Sequence, residues 1–224
     1  MYCCLTLTNT SLYQRTVTQF GPCTLRPTIC AGLVMMADLQ PGEVVLDPMA
    51  GGGTISLEGA QMGPQYHLGA EIHDLAIARA RDNYRDLVTR NKLTAQPPAD
   101  FLQWDCLLPC LRDNSVDVII TDLPFGKRSG SKADNRVLYP NTLMAMARVV
   151  RLDMGRAVLL TQDKNSMMKS LGKINRYWKS SKWVQTNIGG LTAQLWCSFS
   201  IERVTLLVIL NNLVTCLLLN SLYS

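Results

Sequence analysis

Four short apolar runs in this 224-residue chain each end on an acid: Val44–Asp47, His67–Glu71, Phe101–Asp105 and Val116–Asp122. Segments of helical period or turn residues separate them, the alternation that builds a sheet with helices on its faces. In such an open sheet the strands run parallel and their C-terminal ends share one edge, where ligands bind. Four acids delivered to one edge constrain the fold and the site together.

The first run continues into Pro48-Met49-Ala50 and the triple glycine Gly51-Gly52-Gly53. Ile55-Ser56-Leu57-Glu58 then begins like a helix, with Thr54 expected as its cap. Glycines there let a ligand lie against the backbone. Gly51 and Gly53 fit the first part of G-x-G-x-x-G, but Ser56 occupies the third glycine's place. A carboxylate at Asp47 would repel a pyrophosphate and attract a sulfonium or an amino group. The turn therefore suits S-adenosylmethionine better than NAD.

The other acids fit the same ligand. Glu71 falls 24 residues after Asp47, where an acid pairs with a ribose diol. Asp105, closing the third run, is placed to accept from an adenine amino group. The fourth run ends in the tetrad Asp122-Leu123-Pro124-Phe125. Proline fixes φ and carries no donor, so the carbonyls around it are expected to face outward as acceptors. An aromatic ring beside them can stack on a flat base. The tetrad reads as a grip on an exocyclic amine.

The remaining elements complete a regular order. A leading helix is expected over Thr24–Leu39 and a long one over Asp74–Asn91, the latter with Ile77, Ala80, Tyr84, Leu87 and Val88 on one face. Pro97-Pro98 interrupts the chain before the third strand. A helix after the tetrad buries Leu143, Met146, Ala147 and Val150. Strand Arg156–Thr161, a helix from Asp163, and a hairpin of Trp183–Ile188 with Leu191–Phe199 follow. The expectation is an α/β, Rossmann-like domain with seven strands, the last pair antiparallel. It should span residues 12–200, after a stub of residues 1–11 and before a tail of residues 201–224.

Charge is compatible with an RNA partner without establishing one. The net charge is +5, unevenly spread. Lys164 to Arg203 holds seven cations and the single acid Glu202, interleaved with Tyr177, Trp178 and Trp183. That strip reads equally as an RNA track or as a solvated basic face. Lys127, Arg128, Lys132 and Arg136, directly after the tetrad, are better placed to meet phosphates. Eight cysteines contain no Cys-x-x-C pair and there are two histidines, so no metal is expected. Half of the cysteines sit in apolar surroundings, and a reducing, cytoplasmic or nuclear, compartment fits them.

With those residues in view, the chain resembles the catalytic half of the THUMP-domain tRNA guanine-N2 methyltransferases, in particular the animal branch acting on the acceptor stem. The resemblance rests on Phe20-Gly21-Pro22 through Leu25-Arg26, on Asp47-Pro48-Met49 with its glycines, and on Gln103-Trp104-Asp105. Its longest matches are Thr121-Asp122-Leu123-Pro124-Phe125-Gly126-Lys127-Arg128 and Gly155–Asp163, within a span from Leu12 to Leu195. It implies methyl transfer from S-adenosylmethionine to the exocyclic amine of a guanosine in tRNA. It also implies a small zinc-knuckle activator subunit on a sheet edge. In this assignment Asp47, Pro48, Gly51, Gly53, Glu71, Asp105 and Asp122 hold the cofactor, and Asp122, Leu123, Pro124 and Phe125 act on the base.

Two features depart from that pattern. Ala50 stands where the family usually has cysteine, and the family's tRNA-gripping THUMP module has no counterpart here. Related tetrads serve adenine N6 or a protein glutamine, but Asp rather than Asn at position 122 leans away from those substrates. A further alternative is a catalytically idle form that binds the cofactor or the activator. Val204 to Ser224 carries no charge and is long enough to span a bilayer. Asn211, Asn212 and Asn220 interrupt it, so packing on the domain or on another protein is expected instead.

Overall fold

The structure, a computed structural model, describes residues 16–90, 97–125, 131–152, 154–188 and 191–200. Seven strands form one sheet in the order β3-β2-β1-β4-β5-β7-β6. They are β1 (Val44–Asp47), β2 (Tyr66–Glu71), β3 (Ala99–Gln103), β4 (Val118–Asp122), β5 (Arg156–Thr161), β6 (Trp178–Ile188) and β7 (Leu191–Ser200). The first five run parallel, whereas β7 is antiparallel to both its neighbours. The order reverses between β1 and β4, and there the acids Asp47 and Asp122 end adjacent strands.

Five helices connect the strands: α1 (Pro27–Met36), α2 (Thr54–Gly59), α3 (Asp74–Arg90), α4 (Lys132–Val149) and α5 (Lys164–Lys173). β4 and β5 are almost wholly buried, Val118, Ile119, Ile120, Ala157, Leu159 and Leu160 being closed to solvent. Continuous apolar runs of this kind mark a parallel sheet covered on both faces. A smaller apolar cluster joins Leu57, Ile77, Ala80, Leu87 and Phe101 beside the glycine turn.

Several element ends differ from expectation, each for a local reason. The leading helix starts at Pro27, since proline suits a first turn, while Thr24 caps the turn before it by bonding Gly21 N and Gly21 O. Thr54 opens α2 but does not cap it; Gly53, at φ 79°, is the cap residue. β3 stops at Gln103, so Asp105 lies beyond the strand. There its Oδ1 accepts from Leu107 N at 2.9 Å, an Asx turn. Val116 pairs as an isolated bridge with Val150, which leaves α4 in extended conformation. Of the described cysteines, Cys30 is buried while Cys23 and Cys110 are exposed.

The basic strip also changes character. Trp178 is buried and donates its Nε1–H to Leu143 O at 2.8 Å, so it belongs to the core and not to an RNA face. Tyr177 is packed partly against the core, with the Arg176 guanidinium 4.6 Å from its ring centre.

Candidate active site

The glycine turn is bound to β2 at two points. Ala50 N donates to Ala70 O at 2.8 Å, and Gly51 N donates to Glu71 Oε2 at 3.0 Å. Glu71 Oε1 accepts from His73 N at 3.0 Å, so the buried carboxylate is held at both oxygens by backbone donors. Two of the glycines do different jobs. Gly53 needs its positive φ, and a Cβ there would sit 2.7 Å from the Phe101 ring. Gly51 also has a positive φ, 54°, but a Cβ on it would meet nothing within 4 Å. The open space lies over Gly51, which suits a ligand lying against the backbone beside Glu71.

Asp47 and Asp122 form the electrostatic centre. Asp47, 2 % exposed, accepts at Oδ1 from the Thr121 hydroxyl at 2.7 Å and from Met49 N at 3.1 Å. Burial raises its carboxyl to about 7; the two donors oppose that shift and the Glu71 charge adds to it. Pro48, next to it, is buried too. Asp122 is pushed well above the usual carboxylate range, first by burial and then by the charge of Asp47. Its Oδ1 is buried with no hydrogen-bond partner among the described residues. An orphaned carboxylate oxygen carries a desolvation cost of a few kcal/mol that a donor or cation in the pocket would relieve. These acceptors therefore fit a cationic ligand that also presents N–H or O–H groups.

The tetrad is only partly as expected. Leu123 is buried core and Leu123 N donates to Leu160 O at 2.9 Å. Pro124 and Phe125 are half-buried, Phe125 packing against the main core. The Pro124 carbonyl does not face outward: it accepts from Tyr139 Oη at 2.6 Å and from Asn135 Nδ2 at 3.0 Å, both on α4. Lys127 and Arg128 lie outside the described residues. Lys132 begins α4, and Arg136 one turn later is exposed. Ser131 and Asp134 close a reciprocal capping box that fixes where α4 starts after the tetrad.

Two groups escaped the sequence reading. Asn83 is fully buried on α3, where its Nδ2 donates to Gly52 O at 2.9 Å and its Oδ1 accepts from Gln19 N at 2.7 Å. It staples the segment before α1 to the glycine turn. The clue was present, since Asn83 falls between Ala80 and Leu87 on the apolar face of α3. Asn135 and Tyr139, one helical turn apart, are the other group, and nothing in their spacing named Pro124 as the target.

Comparison with known proteins gives this geometry a family. Residues 15–194 match the family described as UPF0020, RMKL-like methyltransferase domain. The chain belongs to that family. RMKL-like relatives include the "tRNA (guanine(6)-N(2))-methyltransferase THUMP3" of Bos taurus, 45 % identical over 199 residues covering 86 % of this chain and 39 % of the relative. The human protein of that name is 42 % identical over the same shares of both chains. The "U6 snRNA (guanine-N(2))-methyltransferase THUMPD2" of Bos taurus is 36 % identical over 65 % of this chain and 27 % of its own. The chain thus spans about two-fifths of the first two relatives' length. Among solved structures, TrmN from Thermus thermophilus superposes with a TM-score of 0.65 at 22 % identity, over 79 % of this chain and 49 % of TrmN. That likeness is one of fold, the class I methyltransferase sheet.

Proposed function

We propose that this domain transfers a methyl group from S-adenosylmethionine to the exocyclic N2 of a guanosine in tRNA. The observation that carries the reading is the pairing of Asp47 and Asp122 at the reversal of the sheet, one carboxyl beside the glycine turn and the other opening the base-gripping tetrad. Its RMKL-like relatives named for guanine-N2 transfer support the choice of atom.

The cofactor, when bound, supplies an electrophilic methyl on a positively charged sulfur. Glu71 would hold its ribose, using oxygen lone pairs left over from the Gly51 and His73 amides. Asp105 would reach the adenine amino group with its second carboxylate oxygen, its first being held by Leu107. Asp47 and the Gly51–Gly53 turn would take the methionine end.

Guanine N2 is a poor nucleophile because its lone pair is delocalised into the ring. Asp122 and the Leu123 carbonyl would accept its two N–H bonds and turn that lone pair toward the methyl, while Phe125 stacks on the ring. As the N2–carbon bond forms and the sulfur–carbon bond breaks, N2 gives up a proton, which Asp122 Oδ1 can receive. Alignment of this kind lowers a barrier by up to ~7–11 kcal/mol, so neither a metal nor a covalent nucleophile is needed.

Two partners complete the proposal. Lys127, Arg128, Lys132 and Arg136 would engage tRNA phosphates, where affinity is dominated by salt-sensitive contacts. The edge strand β3, with Leu102 40 % exposed, would receive the zinc-knuckle activator subunit. Incubation with labelled S-adenosylmethionine and total tRNA, with and without the activator, followed by nucleoside analysis, tests the reading. N2-methylguanosine is the expected product; N6-methyladenosine, or label in protein alone, would overturn it.

A further inference from the structure

Proline fixes only one of its two backbone angles. Its ring sets φ, but ψ, which aims both its carbonyl and the next residue, stays free. At Pro124 that second angle decides where Phe125 goes. The carbonyl of Pro124 is gripped by two donors from α4, Tyr139 Oη at 2.6 Å and Asn135 Nδ2 at 3.0 Å.

Those donors are themselves fixed. Tyr139 and Asn135 are completely buried. Tyr139 Oη lies 2.6 Å from Thr161 Oγ1. A carbonyl oxygen can only accept, so the single Tyr139 proton goes to Pro124 and Thr161 must donate to Tyr139. Thr161 Oγ1 accepts in turn from Asp163 N at 3.0 Å. Asn135 Nδ2 also reaches Asp163 Oδ2 at 3.2 Å, and Asp163 Oδ1 caps α5 by accepting from Ser166 N at 3.1 Å. Burial, ahead of the Thr161 bond that opposes it, keeps the Tyr139 hydroxyl protonated beyond the ordinary tyrosine range, so it remains a donor throughout.

We infer that Tyr139 and Asn135 are positioning residues: they lock ψ of Pro124 and so pre-set the Phe125 ring before any base arrives. The chain of bonds runs from β5 through α4 to the tetrad, so the tetrad's geometry is borrowed from rigid elements and not from its own loop. This rests on the proposed role of the tetrad in gripping guanine, but the brace itself does not require the substrate to be guanine.

The test uses Tyr139→Phe, which removes one oxygen and keeps the buried ring, with Asn135→Ala as the second arm. Tyr84→Phe is the control, because Tyr84 Oη bonds another proline carbonyl, Pro97 O, at 3.1 Å away from the tetrad. Amide hydrogen exchange over residues 121–125 should rise at least tenfold in Tyr139→Phe and in Asn135→Ala. It should stay unchanged in Tyr84→Phe, and exchange in β5 and S-adenosylmethionine affinity should hold within twofold in all three. With tRNA, kcat should fall ten- to a hundredfold in the first two while KM for the cofactor is unchanged. Unaltered exchange at the tetrad, or exchange rising equally through β5 and α4, overturns the brace as a positioning device. Absence of methylated guanosine from the wild-type chain would instead count against the proposed function, and the exchange measurement would still decide this inference.

Discussion

Thr121 donates its hydroxyl to Asp47 at 2.7 Å, joining the residue before the tetrad to the acid before the glycine turn. The bond crosses from β4 to β1, so the two halves of the pocket are linked through a side chain that seemed only a strand residue. Replacing Thr121 by Val keeps the shape and removes the donor. S-adenosylmethionine affinity should fall by about 1–3 kcal/mol, the cost of leaving a buried acceptor short of a partner. Calorimetry on Thr121→Val reads this directly, and wild-type affinity would show the bond to be incidental.

The raised carboxyls give a pH signature. A group whose folded value is raised stabilises the fold below its unfolded value and loses that contribution as pH climbs to the folded one. Asp47 titrates at about 7 and Asp122 well above the usual range, so the ligand-free protein should melt lower at pH 8.5 than at pH 6.5. Below that window the buried His67, lowered by burial to about 4, works in the opposite sense. Asp47→Asn should flatten the fall as pH rises through about 7. The cationic cofactor should bind more tightly as pH rises through about 7, with the uncharged thioether product showing a weaker dependence. A flat melting profile in the wild type would refute the assignment.

Glu71→Ala should cost cofactor affinity about 1.5–3 kcal/mol, the range for hydrogen bonds to a charged group. Part of that loss is indirect, since the same carboxylate anchors Gly51 N. Equal affinity in the variant, or a preference for NAD, would remove the ribose role.

Asp122→Ala should abolish transfer while leaving cofactor affinity nearly intact, because in the proposed arrangement its carboxylate faces the base amine and makes no cofactor contact. Phe125→Ala should act in the same direction through lost stacking, worth about 1–3 kcal/mol per base. Single-turnover transfer with saturating cofactor separates these from binding defects; full activity in Asp122→Ala would sink the mechanism.

The glycine turn should discriminate between its members. Gly53→Ala forces a side chain against Phe101 and should destabilise the fold by more than the ~1–3 kcal/mol typical of overpacking, since its φ is also unfavourable. Gly51→Ala meets open space, so its fold penalty should be the smaller, and its loss should appear in cofactor binding instead. Thermal melting paired with calorimetry distinguishes the two, and equal melting points would contradict the packing at Gly53.

Periodicity alone placed the parallel strands and the acids that end them, because a fully buried strand must be a short apolar run and its end is the first position able to hold a charge. Asp47, Glu71 and Asp122 were legible for that reason, and so was β5 to the residue. Asp105 was legible as an acid but not as a turn residue, since an Asx turn and a strand end share the same letters. What the sequence could not determine is which polar groups meet once the strands are side by side. Thr121 with Asp47, Asn83 with Gly52, and Tyr139 with Pro124 are 74, 31 and 15 residues apart, and no local pattern encodes such pairs. Nor could it show that Trp178, among cations that suggested an RNA face, turns inward to Leu143. Hydrophobic period is written along one segment, whereas a buried hydrogen bond belongs to two, and only the packed fold decides it.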